Sequence, residues 1–163
     1  MIRVLMLACL APLFAAVPAA GPALAQEACT TWTAQMQEDE GGPVLTASAC
    51  AIGRSDAFLS LTCFDGNVDV RHDLSAGAER SPDLDEVTDV AFTIDGATQT
   101  LSMAYQAMDG RHAAGVPVSS PLLALLRSGE SLSIVDVAGQ YPRHEFSLAG
   151  SAAAIGTLLA GCR

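Results

Sequence analysis

Three histidines have the widest chemical range of any side chains in this chain, because imidazole can ligate a metal ion or transfer a proton near neutral pH. They are His72, His112 and His144, 40 and 32 positions apart, and an arginine precedes each of them. Metal-ligand pairs usually show short local spacing, and a neighbouring guanidinium disfavours a bound cation. We therefore interpret the three histidines as solvated surface side chains and predict no metal site.

An acidic cluster is the second candidate for chemistry. Asp83, Asp85, Glu86 and Asp89 supply the carboxylate oxygens that Ca²⁺ prefers. The segment lacks the glycine-centred arrangement of an EF-hand loop, and residues 75–86 have the composition of a loop. We interpret the cluster as a solvated acidic loop.

Nucleophilic and redox motifs are missing from the sequence. No G-x-S-x-G or C-x-x-C occurs, and Ser133 and Ser147 fall in strand-like alternation without an activating neighbour. A pair of carboxylates for glycoside hydrolysis is set by proximity in space, so the sequence leaves that possibility open. We predict no catalytic residue and no cofactor.

The N-terminus carries the clearest single signal. Residues 1–25 combine one charge at Arg3, an apolar run interrupted by prolines and an A-x-A site ending at Ala25, which is typical of a secretory signal peptide. We expect cleavage before Gln26, export to the periplasm or the medium, and a single mature domain over residues 26–163. No later stretch reaches the roughly 20 apolar residues that span a bilayer.

Cys9 lies in the leader and is removed with it, so four cysteines remain in the mature chain. An even number in a short exported chain indicates two disulfides. Cys63 lies on the apolar side of an alternating strand, and Cys162 on the apolar side of the final helix, so we predict Cys63–Cys162 and Cys29–Cys50. The rival pairing, Cys50–Cys63 with Cys29–Cys162, stays open.

Period-two alternation dominates the elements that must position these residues. It recurs at Leu59–Cys63, Val68–Arg71, Val90–Ile94, Leu101–Tyr105 and Leu132–Ile134. Asp-Gly pairs at 65–66, 95–96 and 109–110 favour hairpins. We predict a mainly β (α+β) fold, an antiparallel sheet or sandwich of about seven or eight strands.

Two short helices complete the prediction. Ser120 and Pro121 begin the first, and Gly129 ends it. The second follows Gly150 and carries apolar residues at helical spacing up to Cys162, so it is expected to pack on the sheet. Trp32 is interpreted as a core residue near a disulfide.

The charge of the chain narrows the classes of partner. Lysine is absent, all eight basic residues are arginines, and 18 residues are acidic. Removing Arg3 leaves a net charge of about −11, which opposes binding to nucleic acid or to anionic lipid. A solvated acidic surface is the simplest explanation of this charge.

Most of the segment from residue 43 to residue 162 resembles a group of proteobacterial exported domains. The similarity is carried by the tail Phe146–Ile155 with Leu158 and Cys162, by the pattern from Leu122 to Ile134, by Leu61-Thr62-Cys63 and by Val90–Asp95. The group includes VasI-like proteins associated with type VI secretion and, more distantly, invasion-associated locus B proteins. The resemblance implies a similar fold, an exported location and Cys63–Cys162 as the recurrent pair; the usual arginine before the strand cysteine is Thr62 here.

Together these features predict an exported, non-catalytic and monomeric domain that binds a protein or an envelope component. The alternative is an envelope hydrolase, or an inhibitor of one, with a site assembled from distant residues. A concave site with a histidine–carboxylate pair would favour the enzyme, whereas an apolar groove or patch would favour binding.

Overall fold

The computed structural model describes residues 29–39 and 41–162, so the predicted signal peptide lies outside the described residues. The fold is mainly β, as predicted, and it has nine strands in one antiparallel sheet, where we expected seven or eight. The strands are β1 Thr33–Asp39, β2 Gly42–Ala51, β3 Arg54–Phe64, β4 Asn67–His72, β5 Val87–Ile94, β6 Ala97–Gln106, β7 Arg111–Pro117, β8 Ser131–Asp136 and β9 His144–Ser147. The helices that lie wholly within the described residues are α1 Pro121–Ser128 and α2 Ser151–Gly161.

The sheet is built from three runs of sequential strands, β1–β4, β5–β7 and β8–β9. Its strand order is β1-β2-β3-β4-β7-β6-β5-β8-β9, and the runs join where β4 pairs with β7 and where β5 pairs with β8. The backbone N–H of Ile52, just after β2, donates to the carbonyl of Glu145 in β9 over 2.7 Å. The far end of the sheet therefore curls back towards its beginning.

Alternation along the strands divides the sheet into an inner and an outer face. In β4, Val68, Val70 and His72 are buried, whereas the residues between them are only half-buried. The same parity repeats in β5 and β8, and the inner side chains form one apolar core. A period of two residues places successive side chains on opposite faces, which is the reason for this pattern.

The predicted hairpin turns are present at the Asp-Gly pairs. Asp65 and Asp95 have φ angles of 48° and 46°, and each is followed by a glycine with positive φ. A two-residue hairpin with positive φ at both positions matches the right-handed twist of the strands, and aspartate and glycine tolerate that backbone best. The third pair, at 109–110, has positive φ only at its glycine.

Both helices cover one side of the sheet. Ser120 caps α1 by accepting the backbone N–H of Leu122 over 3.3 Å, and Gly129 ends the helix, as predicted. Helix α2 packs on β1, β2 and β3, and the hydroxyl of Ser151 at its start donates to the carbonyl of Leu126 in α1 over 2.7 Å. The two helices are thus fixed to each other as well as to the sheet.

Two cysteine pairs lie at disulfide distance. Cys29 pairs with Cys50 at a Cα–Cα distance of 5.3 Å, and Cys63 pairs with Cys162 at 5.4 Å. The first pair attaches the start of the described chain to β2, and the second attaches the end of α2 to β3. Among the described residues, no helix has the length and apolar composition needed to cross a bilayer.

Candidate functional site

All three histidines lie inside the protein, and the prediction that they are surface residues is wrong. His72 in β4, His112 in β7 and His144 in β9 are 0%, 1% and 2% exposed. His72 and His112 are directly opposed partners across the β4–β7 pair, so their side chains share the inner face of the sheet. The topology has therefore gathered residues that the sequence separates widely.

His72 and His144 are in direct contact. The Nε2 atom of His72 lies 2.9 Å from Nδ1 of His144, and the ring centroids are 5.0 Å apart with the rings nearly perpendicular. The outer nitrogens of the pair reach backbone carbonyls: Nδ1 of His72 lies 2.7 Å from Phe58 O, and Nε2 of His144 lies 3.0 Å from Ala76 O. Burial lowers the pKa of both imidazoles, that of His72 to about 3.

Glu86 is the centre of a second polar cluster, and its side chain is only 10% exposed, so it is not the solvated residue we predicted. Arg80 Nη2 donates to one carboxylate oxygen over 2.6 Å, and the Tyr141 hydroxyl donates to the other over 2.5 Å. The Arg80 hydrogen bond lowers the pKa of Glu86 to about 2, and the Tyr141 hydrogen bond adds to that effect. Glu86 is therefore held as a carboxylate at any physiological pH.

His112 lies behind this cluster. Its Nε2 atom is 3.4 Å from a carboxylate oxygen of Glu86, but neither ring nitrogen makes a hydrogen bond within the described chain. The ring lies between two tyrosines, with centroid distances of 5.2 Å to Tyr105 and 5.6 Å to Tyr141. Burial lowers the pKa of His112, which favours the neutral imidazole.

Asp136 fixes the chain that carries Tyr141. Its carboxylate accepts the backbone N–H groups of Ala138 over 2.8 Å and of Tyr141 over 3.2 Å, and also that of Gln140. The hydroxyl of Thr88 in β5 donates to the same carboxylate over 3.1 Å. Asp136 is 1% exposed, and these hydrogen bonds satisfy its buried carboxylate. They also hold the turn after β8 against β5.

A cleft of about 860 Å³ opens in front of the Glu86 cluster. Its walls are residues 83–89 with Arg80, Ser102, Val137, Ala138 and Gln140. Leu84, Val87 and Val137 are 75%, 63% and 62% exposed, so large apolar side chains line a surface that is open to solvent. Exposed apolar groups gathered in a concave surface are typical of an interaction site.

The charge of the cleft is mostly negative. Its lining includes four carboxylates, those of Asp83, Asp85, Glu86 and Asp89, and one guanidinium. That guanidinium, on Arg80, is already ion-paired with Glu86 and with Asp83. A cation that entered the cleft would therefore meet an uncompensated negative field.

A second concave region lies on the outer face of β3 and β4, with a volume of about 620 Å³. Its central guanidinium, Arg71, pairs with Asp69 over 2.6 Å and with Asp109 over 3.1 Å. The lining also includes the carboxylates of Asp39, Asp65 and Asp69, so negative charge is in excess here too. The excess is smaller than in the cleft in front of Glu86, where four carboxylates accompany one guanidinium.

The arrangement in the cleft fits binding better than proton transfer. His112 and Tyr141 do not line the cleft, and both oxygens of Glu86 are occupied by hydrogen bonds. Burial, reinforced by the adjacent Glu86 carboxylate, raises the pKa of the Tyr141 hydroxyl. A general acid or base needs a pKa near the operating pH and access to the substrate. The pKa values of Glu86 and Tyr141 are shifted away from neutrality, and His112 and Tyr141 do not reach the cleft.

The remaining candidates take structural positions. Ser133 and Ser147 lie in β8 and β9, as predicted, and Trp32 is a core residue that is 3% exposed. Within residues 29–39 and 41–162, no three His, Cys, Asp or Glu side chains are grouped so that they could hold a metal ion. The chain matches no protein-family model, no curated protein and no solved structure.

Proposed function

We propose that this protein is an exported, monomeric, non-catalytic domain whose acidic cleft binds a basic and partly apolar segment of another protein of the periplasm or the extracellular medium. The observation that carries the proposal is the combination, in one cleft, of uncompensated carboxylates with three exposed aliphatic side chains. A lysine- or arginine-containing segment with neighbouring apolar side chains complements both features.

Export is supported by the leader-like composition of residues 1–25 and by the two cysteine pairs at disulfide distance. The resemblance to VasI-like exported domains points to the same location. A rigid sheet that is tied at both ends of the described chain is also a suitable support for a fixed binding surface.

Peptide binding to the mature protein tests the proposal. The probes are fluorescent twelve-residue peptides of alternating lysine and leucine, with one analogue in which serine replaces leucine and another in which glutamate replaces lysine. We expect the lysine–leucine peptide to bind most tightly, because it alone satisfies both the charge and the apolar side chains of the cleft. Equal binding of the serine analogue would contradict a role for the aliphatic residues.

A matched pair of charge reversals localises the binding. Asp85→Lys with Asp89→Lys changes the cleft, whereas Glu38→Lys with Glu130→Lys makes the same change in net charge at exposed positions elsewhere. We expect the first pair to weaken binding at least tenfold and the second to change it less than threefold. Equal losses would show attraction to the whole acidic protein and would overturn the assignment of the cleft.

An envelope hydrolase is the second candidate, and one observation favours it: the histidine–carboxylate pair of His112 and Glu86, 3.4 Å apart. Its burial behind the cleft is the argument against it. Hydrolysis of a chromogenic ester, peptide or glycoside that is lost in His112→Gln would establish the enzyme. An inhibitor of a hydrolase would instead use the cleft as a binding surface.

A further inference from the structure

The contact between His72 and His144 is the middle member of a row of three close polar contacts. The row runs from Phe58 O to Nδ1 of His72 over 2.7 Å, from Nε2 of His72 to Nδ1 of His144 over 2.9 Å, and from Nε2 of His144 to Ala76 O over 3.0 Å. All four ring nitrogens of the pair are thus engaged. Both ends of the row are carbonyl oxygens, which only accept hydrogen bonds.

Counting protons along this row shows what the pair must hold. Each carbonyl requires an N–H, so Nδ1 of His72 and Nε2 of His144 are both protonated. A neutral imidazole carries one N–H, and these two donors use the only protons that a neutral pair possesses. The facing nitrogens would then be two lone pairs 2.9 Å apart, which repel each other unless a third proton lies between them.

We propose that His72 and His144 together bind one proton, shared between Nε2 of His72 and Nδ1 of His144, and form a buried imidazole–imidazolium pair with a net charge of +1. The three contacts are then three hydrogen bonds, and every ring nitrogen is satisfied. The 2.9 Å separation is a normal hydrogen-bond length, so one proton between the two nitrogens accounts for it.

Some charged groups on the surrounding elements favour a positive charge on the histidine pair, and others oppose it. Asp73, which follows β4, and Asp56 in β3 favour positive charge on His144, whereas Arg54 in β3 opposes it. Arg111 and His112 in β7 oppose positive charge on His72. Burial lowers the pKa of each ring taken singly. The first proton is bound against that cost because it creates the hydrogen bond between the facing nitrogens, whereas a second proton gains no such bond, so the pair holds one proton rather than two.

The shared proton links parts of the fold that are not neighbours in the sheet. β4 and β9 are separated by four strands in the sheet order, and the His72–His144 contact joins them through the interior. The Ala76 carbonyl belongs to the segment that leads from β4 to β5, so the same row of hydrogen bonds fixes this segment. This inference concerns the interior alone and does not depend on what the cleft binds.

The pH dependence of stability tests the proposal. The native protein would hold one proton on the pair and none on His112, whereas three unfolded histidines with a pKa of about 6.5 hold one proton in total near pH ~6.8. Below that pH the unfolded chain binds more protons, and above it the native protein does. Stability should therefore be greatest near pH ~6.8, and the unfolding equilibrium constant should rise about fivefold from there to pH 8.

Two variants show which histidines cause the predicted decrease in stability towards pH 8. In His112→Gln, which leaves the pair intact, stability should still decrease towards pH 8. In His144→Gln, which removes the shared proton, that decrease should disappear. A wild-type stability that rises steadily from pH 5 to pH 8 would mean that the pair is neutral and would overturn the proposal.

Nitrogen NMR of the histidine-labelled wild-type protein gives a direct test that requires no variant. At pH 7 we expect N–H protons on Nδ1 of His72 and on Nε2 of His144, together with a scalar coupling between the two facing nitrogens across the shared proton. Two neutral rings, each with one unprotonated nitrogen and with no coupling between them, would contradict the proposal.

Discussion

The indole N–H of Trp32 donates to the backbone carbonyl of Ser147 over 3.1 Å, and so joins the start of the described chain to β9 across 115 positions of sequence. The backbone N–H of Trp32 donates in addition to Ala149 O over 2.9 Å. The only tryptophan of the protein therefore connects the segment before β1 to the turn before α2.

Replacement of this indole should destabilise the fold. In Trp32→Phe the ring remains apolar, but the Ser147 carbonyl loses its donor in a partly buried position, which costs about 1 kcal/mol. Urea denaturation followed by circular dichroism measures the change. Phe64→Leu is the control, because Phe64 is 77% exposed and its substitution should alter the free energy of unfolding by less than about 0.5 kcal/mol.

The two disulfides should differ in their contribution to stability. They close loops with sequence separations of 99 and 21 residues, for Cys63–Cys162 and Cys29–Cys50 respectively. The chain-entropy model gives about 4.7 kcal/mol for the longer loop and about 3.3 kcal/mol for the shorter one. The test replaces both cysteines of one bond by alanine and measures the free energy of unfolding by denaturation. We expect a larger decrease when Cys63 and Cys162 are replaced, and the reverse order would contradict the model.

Glu86 should protect the fold in acid. Its folded pKa of about 2 lies below the unfolded value, so its stabilising contribution is full above about pH 4.5 and is lost as the pH falls towards 2. The difference in unfolding free energy between the wild type and Glu86→Gln should therefore shrink between pH 5 and pH 3. Asp85→Asn is the control, because Asp85 is exposed in the same segment. The difference in unfolding free energy between the wild type and Asp85→Asn should stay small from pH 5 to pH 3.

The two left-handed aspartates should respond differently to glycine. Asp65 and Asp95 share nearly the same φ, but only Asp95 accepts side-chain hydrogen bonds, from the backbone of Glu130 over 2.9 Å and from Ser131 over 3.0 Å. Asp65→Gly removes a backbone penalty and no such bond, so the melting temperature should stay constant or rise. Asp95→Gly should lower it, because the turn then loses the hydrogen bonds that the Asp95 carboxylate accepts from Glu130 and Ser131.

The histidines show why part of the site could not be predicted. In the sequence each arginine–histidine pair has the composition of polar surface, yet neighbours in a strand point to opposite faces: in β4 the Arg71 side chain is 27% exposed, whereas His72 is 0% exposed. The parity was available in the sequence, since His72 shares the period-two register of Val68 and Val70. The charged arginine next to each histidine obscured this parity.

The Glu86 cluster had no local signal of any kind. Arg80, Glu86 and Tyr141 meet only because β5 pairs with β8 and because Asp136 holds the turn that follows. Strand parity, Asp-Gly turns, the Ser120 cap and the helical spacing of apolar residues before Cys162 are local features, and they predicted the β class and both helices. Strand order is a long-range property, and the residues that meet through it could not be inferred from spacing.

The pairing of Cys63 with Cys162 also has a consequence for biosynthesis. A chain is made from its N-terminus, so Cys63 emerges 99 residues before its partner, whereas Cys50 follows Cys29 by only 21 residues. During that interval Cys63 is a free thiol close in sequence to Cys50. Early formation of the Cys29–Cys50 bond removes that competitor and leaves Cys63 to pair with Cys162, which is synthesised later.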